Sequence, residues 1–218
     1  MQQGDPSDSD DKRRRILDAA LAVCEERGVH AARMEEVAAR AQVSKGTLYR
    51  FFESKEELFL ASIIDSYENA RGVGAAPMLP AADADPADQL RRRLDALANV
   101  LTIVGPHARV HYQAWGVVGD SPVAAARLND FLTRFHRERH AEYEEMVRAG
   151  QREGRFRVDV DANTVAHCIS GLVSGFIYRA AFDPASASPD ALRACFDMVM
   201  REVLGAGEAR AIGSKPEK

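Results

Sequence analysis

The stretch VSKGTLYRFFESKEEL, residues 43–58, contains two helix starts in close succession. Ser44 offers a side-chain oxygen to the first free N–H groups of a helix beginning at Lys45, and Ser54-Lys55-Glu56-Glu57 has the spacing of a capping box opening a second. On the short helix between them, Lys45, Thr47, Tyr49 and Arg50 share the outer surface, while Leu48 and Phe51, three apart, turn to a core. Gly46 leaves the backbone bare near the helix start, where an anion is favoured by the free N–H groups.

Before this stretch lie two more helical patterns. Ile16, Leu17, Ala20, Leu21 and Cys24 recur at helical spacing in a helix starting near Lys12, and Gly28 stops it. A short helix over residues 34–40 buries Val37 and Ala38, and Ala41-Gln42-Val43 turns the chain into the third. Two short helices joined by a tight turn and braced by a longer one make a helix-turn-helix. After it, a helix runs from Lys55 to about Arg71, and GVGAAPMLPAADADP reads as a loop. The pairs Asp85-Pro86, Ser121-Pro122 and Ser188-Pro189, together with Asp161, mark the starts of helices over about 86–104, 122–153, 189–204 and 161–182, with another over 106–118. No run alternates as a strand would. The expected fold is all-α: an acidic disordered tail over residues 1–11, a three-helix helix-turn-helix domain over 12–54, a larger helical domain over 55–205, and a flexible tail over 206–218.

The net charge of −4 excludes a protein that coats nucleic acid indiscriminately, so any attraction to phosphates must be local. The start MQQGDPSDSDDK lacks the apolar core of a signal peptide, and the longest uncharged run is too short and too polar for a membrane span. A cytoplasmic protein with no membrane partner is expected. Cys24, Cys168 and Cys195 lie far apart in apolar patterns, and they read as buried thiols.

The segment EEVAARAQVSKGTLYRFFESKEEL resembles the signature of the TetR family of bacterial transcription regulators. The matching residues are Val37-Ala38, Ala41, Val43-Ser44, Gly46-Thr47, Leu48-Tyr49, Phe52 and Ser54-Lys55-Glu56. The resemblance implies a homodimer that binds a near-palindromic operator, usually to repress, and that a small molecule releases. Carried over, Lys45, Thr47 and Arg50 face bases or nearby phosphates, Tyr49 and Lys55 hold phosphates, Ser44 caps the reading helix, and Gly46 lets the backbone approach. Within the cluster Lys12-Arg13-Arg14-Arg15, Arg13 and Arg14 reach the DNA backbone or stand as a solvated helix start. The chain departs from the pattern twice. Gln42 stands where the turn usually has glycine, and Arg33 replaces the usual capping Ser or Thr, where it has no cap to give but a charge for a phosphate.

The stretch from Gly150 to Pro184 resembles the family's entry into its dimerisation helices. The helix over 161–182 has almost no charged face and must be covered on most sides. Gly171, Ser174 and Gly175 admit another backbone, and Leu192, Phe196 and Val199 present a second apolar face; a core within one chain is the other explanation. Candidate ligand-lining residues are His111, Tyr112, Trp115, Phe131, Phe135, Phe176 and Tyr178, each of which is equally plain core. The pairs His107/His111 and His136/His140 have the i, i+4 spacing of zinc helices, but two ligands leave a metal undercoordinated, so no metal or cofactor is expected. No nucleophile–base constellation, P-loop or dinucleotide fingerprint points to an enzyme. The alternative to a DNA-binding repressor is a ligand- or protein-binding helical module whose helix-turn-helix no longer reads DNA. Operator, effector and regulated genes are not written in the sequence.

Overall fold

The computed structural model describes residues 6–74 and 85–204, and among them there are only helices and turns. In chain order these are α1 (Pro6–Arg27), α2 (Met34–Arg40), α3 (Lys45–Phe51), α4 (Lys55–Gly74), α5 (Pro86–Val104), α6 (Ala108–Gly119), α7 (Pro122–Arg152), α8 (Ala162–Ala180) and α9 (Pro189–Leu204), with single 3-10 turns at Gly105–His107 and Pro184–Ser186. The expected all-α class is correct. The loop after Gly74 and the tail from 205 on lie outside the described residues.

Helix starts fall where the capping side chains stand. Asp85 accepts from Ala87 N at 2.8 Å, Ser121 from Ala124 N at 3.3 Å, Asp161 from Thr164 N at 2.9 Å and Ser188 from Ala191 N at 3.1 Å. Each satisfies one of the donors that a helix start leaves unpaired. At Ser54 the box is shifted by one residue: the hydroxyl accepts from Glu57 N at 3.2 Å, but the Glu57 carboxylate reaches Glu53 N at 2.9 Å. One boundary differs from the sequence reading. α1 begins at Pro6, not near Lys12, so residues 6–11 of the expected tail are helical. Proline suits a first helical turn, and Asp10 and Asp11 lie toward the positive end of the dipole.

The chain packs as two units. The first comprises residues up to Asn69 together with His107–Phe131, and the second comprises Ala70–Pro106 together with Leu132 onward. In the first unit Ile16, Leu17, Ala20, Val37, Ala38, Leu48, Phe52, Leu58, Phe59 and Ile63 are buried. Of the adjacent pair, Phe52 and not Phe51 turns into this core, 3% exposed. α3 ends at Phe51 and Phe52 adopts an extended backbone (φ −141, ψ 110), which swings its ring out of the helical phase and inward.

In the second unit α5 packs against α8 and α9. Leu90, Leu94, Leu97, Ala98, Val165, Ile169, Leu192, Phe196 and Val203 are buried there. The corner after α7 is a Schellman turn: Gly154 (φ 71) donates to Gln151 O at 3.1 Å and Arg155 to Gly150 O at 2.9 Å. Phe156 then folds back onto Gly150, where a Cβ would lie 2.1 Å from the ring. Gln151 ties the corner down by donating to the carbonyls of Arg157 and Val160 at 2.8 and 2.7 Å.

Candidate nucleic-acid interface

The turn between α2 and α3 is also a Schellman motif. Gln42 donates to Ala39 O at 3.2 Å and Val43 to Ala38 O at 3.0 Å, with Gln42 itself at φ 55. A left-handed backbone is costly for any residue with a Cβ, but the hydrogen bonds are those that a glycine would make there. The departure at Gln42 therefore leaves the turn geometry intact. At the start of α2, Arg33 occupies the cap position, and its N–H donates to the Glu36 carboxylate at 3.4 Å. A guanidinium has no acceptor, so only that half of a capping box closes.

Ser44 caps α3, accepting from Thr47 N at 3.0 Å and sharing a hydrogen bond with the Thr47 hydroxyl at 2.8 Å. The Thr47 hydroxyl is thus engaged by the cap, which leaves its methyl as the group free of hydrogen bonding. Lys45, Gly46, Tyr49 and Arg50 are exposed, and a Cβ on Gly46 would meet only Ser44 Oγ, at 3.9 Å. The Lys45 ammonium lies 5.7 Å from the Tyr49 ring centre and the Arg50 guanidinium 5.8 Å from that of Phe51. The sequence reading thus placed Ser44, Lys45, Gly46, Thr47, Tyr49 and Arg50 on one small helix, and the structure brings them together there.

Glu35 is the participant that the sequence reading missed. Its carboxylate accepts from Lys45 Nζ at 2.6 Å, which holds the Glu35 pKa low and the Lys45 pKa high, each through that hydrogen bond first. Both groups are exposed, so the pair is screened by solvent. Ten residues of separation across a turn hide it from any helical-face pattern. Other basic candidates have partners too. Lys55 Nζ donates to His30 O at 2.9 Å, and Arg13 sits 3.8 Å from Asp65 and over the Phe52 ring. Arg14 is exposed.

The proposed ligand-lining residues divide between the two units. In the first, His111 is buried and its Nε2 is 2.9 Å from Ser66 Oγ; burial, helped by His107, pushes its pKa down to about 4, so the imidazole is neutral near pH 7. Tyr112 lies against Trp115, which is 36% exposed, and Phe131 meets Tyr67 edge-on. The neighbouring His107 donates to Glu25 at 2.5 Å. In the second unit Phe135 and Phe176 are buried, each beneath an arginine, Arg139 and Arg179. Tyr178 is not with them: it is 54% exposed on α8, against Phe182. The rings of His140 and His167 lie 4.2 Å apart, tilted by 45°, and among the described residues no group of three or more His, Cys, Asp or Glu gathers as metal ligands would.

On α8 the residues His167, Cys168, Gly171, Ser174, Gly175 and Tyr178, followed by Phe182, are all exposed at helical spacing. A Cβ on Gly171 or Gly175 would meet nothing within 4 Å. The candidate interface residues on α9 behave otherwise. Leu192 and Phe196 are 0% and 2% exposed within their own chain, because α9 turns that face to α5 and α8; Val199 is only half-buried. They are core, and the outward apolar residue of α9 is Met198. Cys168 is likewise an exposed thiol, not a buried one.

Residues 16–62 match the N-terminal family of bacterial regulatory proteins of the tetR family, and residues 86–205 match the C-terminal part of BetI-type transcriptional repressors. The chain is 42% identical over 67 residues to the HTH-type transcriptional repressor KstR of Rhodococcus jostii, a match that spans 31% of this chain and 32% of that repressor. It is 25% identical over 184 residues to the HTH-type transcriptional regulator YdgC of Bacillus subtilis, covering 83% of this chain and 88% of the relative. A transcriptional regulator from Saccharomonospora viridis, solved in complex with choline, has the same fold with a TM-score of 0.65 at 23% identity, over 89% of this chain and 98% of that one. Among the described residues no helix is long and apolar enough to cross a membrane.

Proposed function

We propose that this chain, which belongs to the TetR family of bacterial regulatory proteins, is a homodimeric repressor that binds a near-palindromic operator through α3 and is released by a small molecule held among the helices beyond it. The observation that carries this reading is α3 itself. It is a capped helix with Lys45, Thr47, Tyr49 and Arg50 on one outer surface, a bare backbone at Gly46, and an intact turn joining it to α2. Lys and Arg side chains on such a helix read guanine edges in the major groove, and phosphate contacts from Tyr49 and Lys55 set its register.

The exposed stripe of α8 supports the dimer. Small and apolar groups in a row are poor neighbours for water and good ones for a second copy of the same helix. Two copies would hold two reading helices about 34 Å apart, the spacing of successive major grooves. A ligand that prefers another spacing weakens operator binding by linkage. The choline complex of the Saccharomonospora regulator supports a small-molecule site in this fold without naming the ligand of this chain.

The test is a selection of bound DNA from a random library, run on wild-type, Lys45→Ala and Arg50→Ala proteins. Enrichment of a palindrome that both variants lose is the expected result. No enriched site from folded, dimeric protein overturns the operator reading.

A further inference from the structure

We propose that Arg93 anchors the carboxylate of a small molecule with an apolar body, held between α5 and α7 within the second unit. The inference deepens the effector half of the proposed function and rests on it.

Arg93 is 4% exposed, on the apolar face of α5 between Leu90 and Leu97. A guanidinium stays charged at every physiological pH, so its donors need acceptors where it is buried. Only one nitrogen has one. Nη2 donates to Glu142 Oε2 of α7 at 2.9 Å, while Nε and Nη1 have no hydrogen-bond partner among the described residues. Buried N–H groups of a cation left unpaired are rare and expensive, and they mark a place where another acceptor belongs.

The surroundings say which acceptor. Arg93 lies over the ring of Tyr143, itself 1% exposed, and Arg139 stands over the same ring and donates to the Tyr143 hydroxyl at 2.5 Å. Arg139 also covers Phe135, one turn along α7. Around the Tyr143 ring stand Arg93 and Arg139, with Glu142 on Arg93, two positive groups and one negative. A monoanion balances that set; a phosphate dianion overshoots it, and a cation such as choline worsens it. Glu142 is the solvent-facing member of the set, 36% exposed. Leu90 and Leu97 flank Arg93 on α5, and Phe135 and Tyr143 lie under the arginines on α7, all four buried, so the groups next to the guanidinium are apolar and suit the body of an alkyl or aryl carboxylate.

The test is calorimetric titration of the full-length protein with decanoate and with 2-naphthoate, each against its matched alcohol, and with choline and inorganic phosphate. At least one carboxylate should bind roughly ten-fold or more tighter than its alcohol. Arg93→Met should remove that advantage and Arg93→Lys should keep part of it. A carboxylate no better than its alcohol, an advantage that survives in Arg93→Met, or tighter binding of choline or phosphate overturns the proposal. If Arg93→Met does not fold, the wild-type Nε–H resonance, assigned by its loss in Arg93→Lys, must move with the carboxylate and not with the alcohol; a resonance that stays put overturns the proposal. Operator release is measured separately. A carboxylate that binds through Arg93 without releasing DNA supports the site and counts against the effector reading.

Discussion

Helices α3 and α8 each turn outward a surface that their own unit does not cover, and they do so with opposite materials. The α3 surface is charged and hydroxylated, with Lys45 already paired to Glu35. The α8 stripe holds an imidazole, a thiol, two glycines, a serine and the rings of Tyr178 and Phe182, and a single arginine, Arg179, stands near its end. The difference lies in the chemistry of what each face can meet. Charge on a short capped helix suits a polyanion, whose attraction survives water and fades with salt. A row of small and apolar groups gains nothing from salt or charge and gains only by excluding water against a surface of matching shape.

The largest expected effect tests that contrast from the α8 side. Gly175→Arg places a long cation in open space as far as its own chain is concerned, so helicity by circular dichroism should hold. Sedimentation should show the proposed dimer weakened by about a hundred-fold to a few thousand-fold, since an unpaired charge in a closed interface costs about 3–5 kcal/mol. An unchanged dimer would remove α8 from the interface.

Acid acts on the first unit next. His111 has its folded pKa depressed to about 4 by burial, against about 6.5 unfolded. Below about 6.5 the unfolded chain binds a proton that the folded first unit does not, so stability falls as pH drops from about 6.5 toward 4. The loss should total about 3 kcal/mol at most, and His111→Gln should flatten it in urea titrations across that range.

On the α3 side, Lys45→Ala or Arg50→Ala should weaken operator binding about ten-fold or more, and each lost phosphate contact should flatten the salt slope by about one. Gln42→Gly should then raise unfolding stability by about 0.5–1 kcal/mol by relieving the left-handed backbone, with operator sequence unchanged. Smallest of all, Glu35→Gln frees Lys45 from its carboxylate and should tighten DNA binding by roughly a few-fold in a low-salt retardation assay, less at higher salt.

Much of this was legible in the sequence wherever a local rule decides. Asp85, Ser121, Asp161 and Ser188 fix helix starts through their own side chains, and the whole of α3 could be read because cap, glycine and basic residues lie within two turns of each other. What could not be read depends on what comes near in space. Phe51 and Phe52 traded roles because helical phase ends with the helix. Leu192 and Phe196 read as an apolar face, and nothing in that face says whether α5 or a partner covers it. The Glu35–Lys45 pair crosses a turn that no periodicity spans. Arg93 did leave a trace: of the three arginines 91–93, it is the one spaced three and four residues from Leu90 and Leu97.

Gly150 has a consequence for inheritance. Any replacement adds at least a Cβ, and here that atom would lie 2.1 Å from a Phe156 ring that is itself buried, so one chain alone accounts for intolerance at this position. Gly171 and Gly175 have no such neighbour. In a library of random variants sorted for repression, Gly150 should tolerate nothing for reasons of folding, whereas depletion at Gly171 and Gly175 must come from outside the single chain. Glycines that read alike as letters thereby become separate gauges, one of the corner at the end of α7 and two of the surface a second copy would meet.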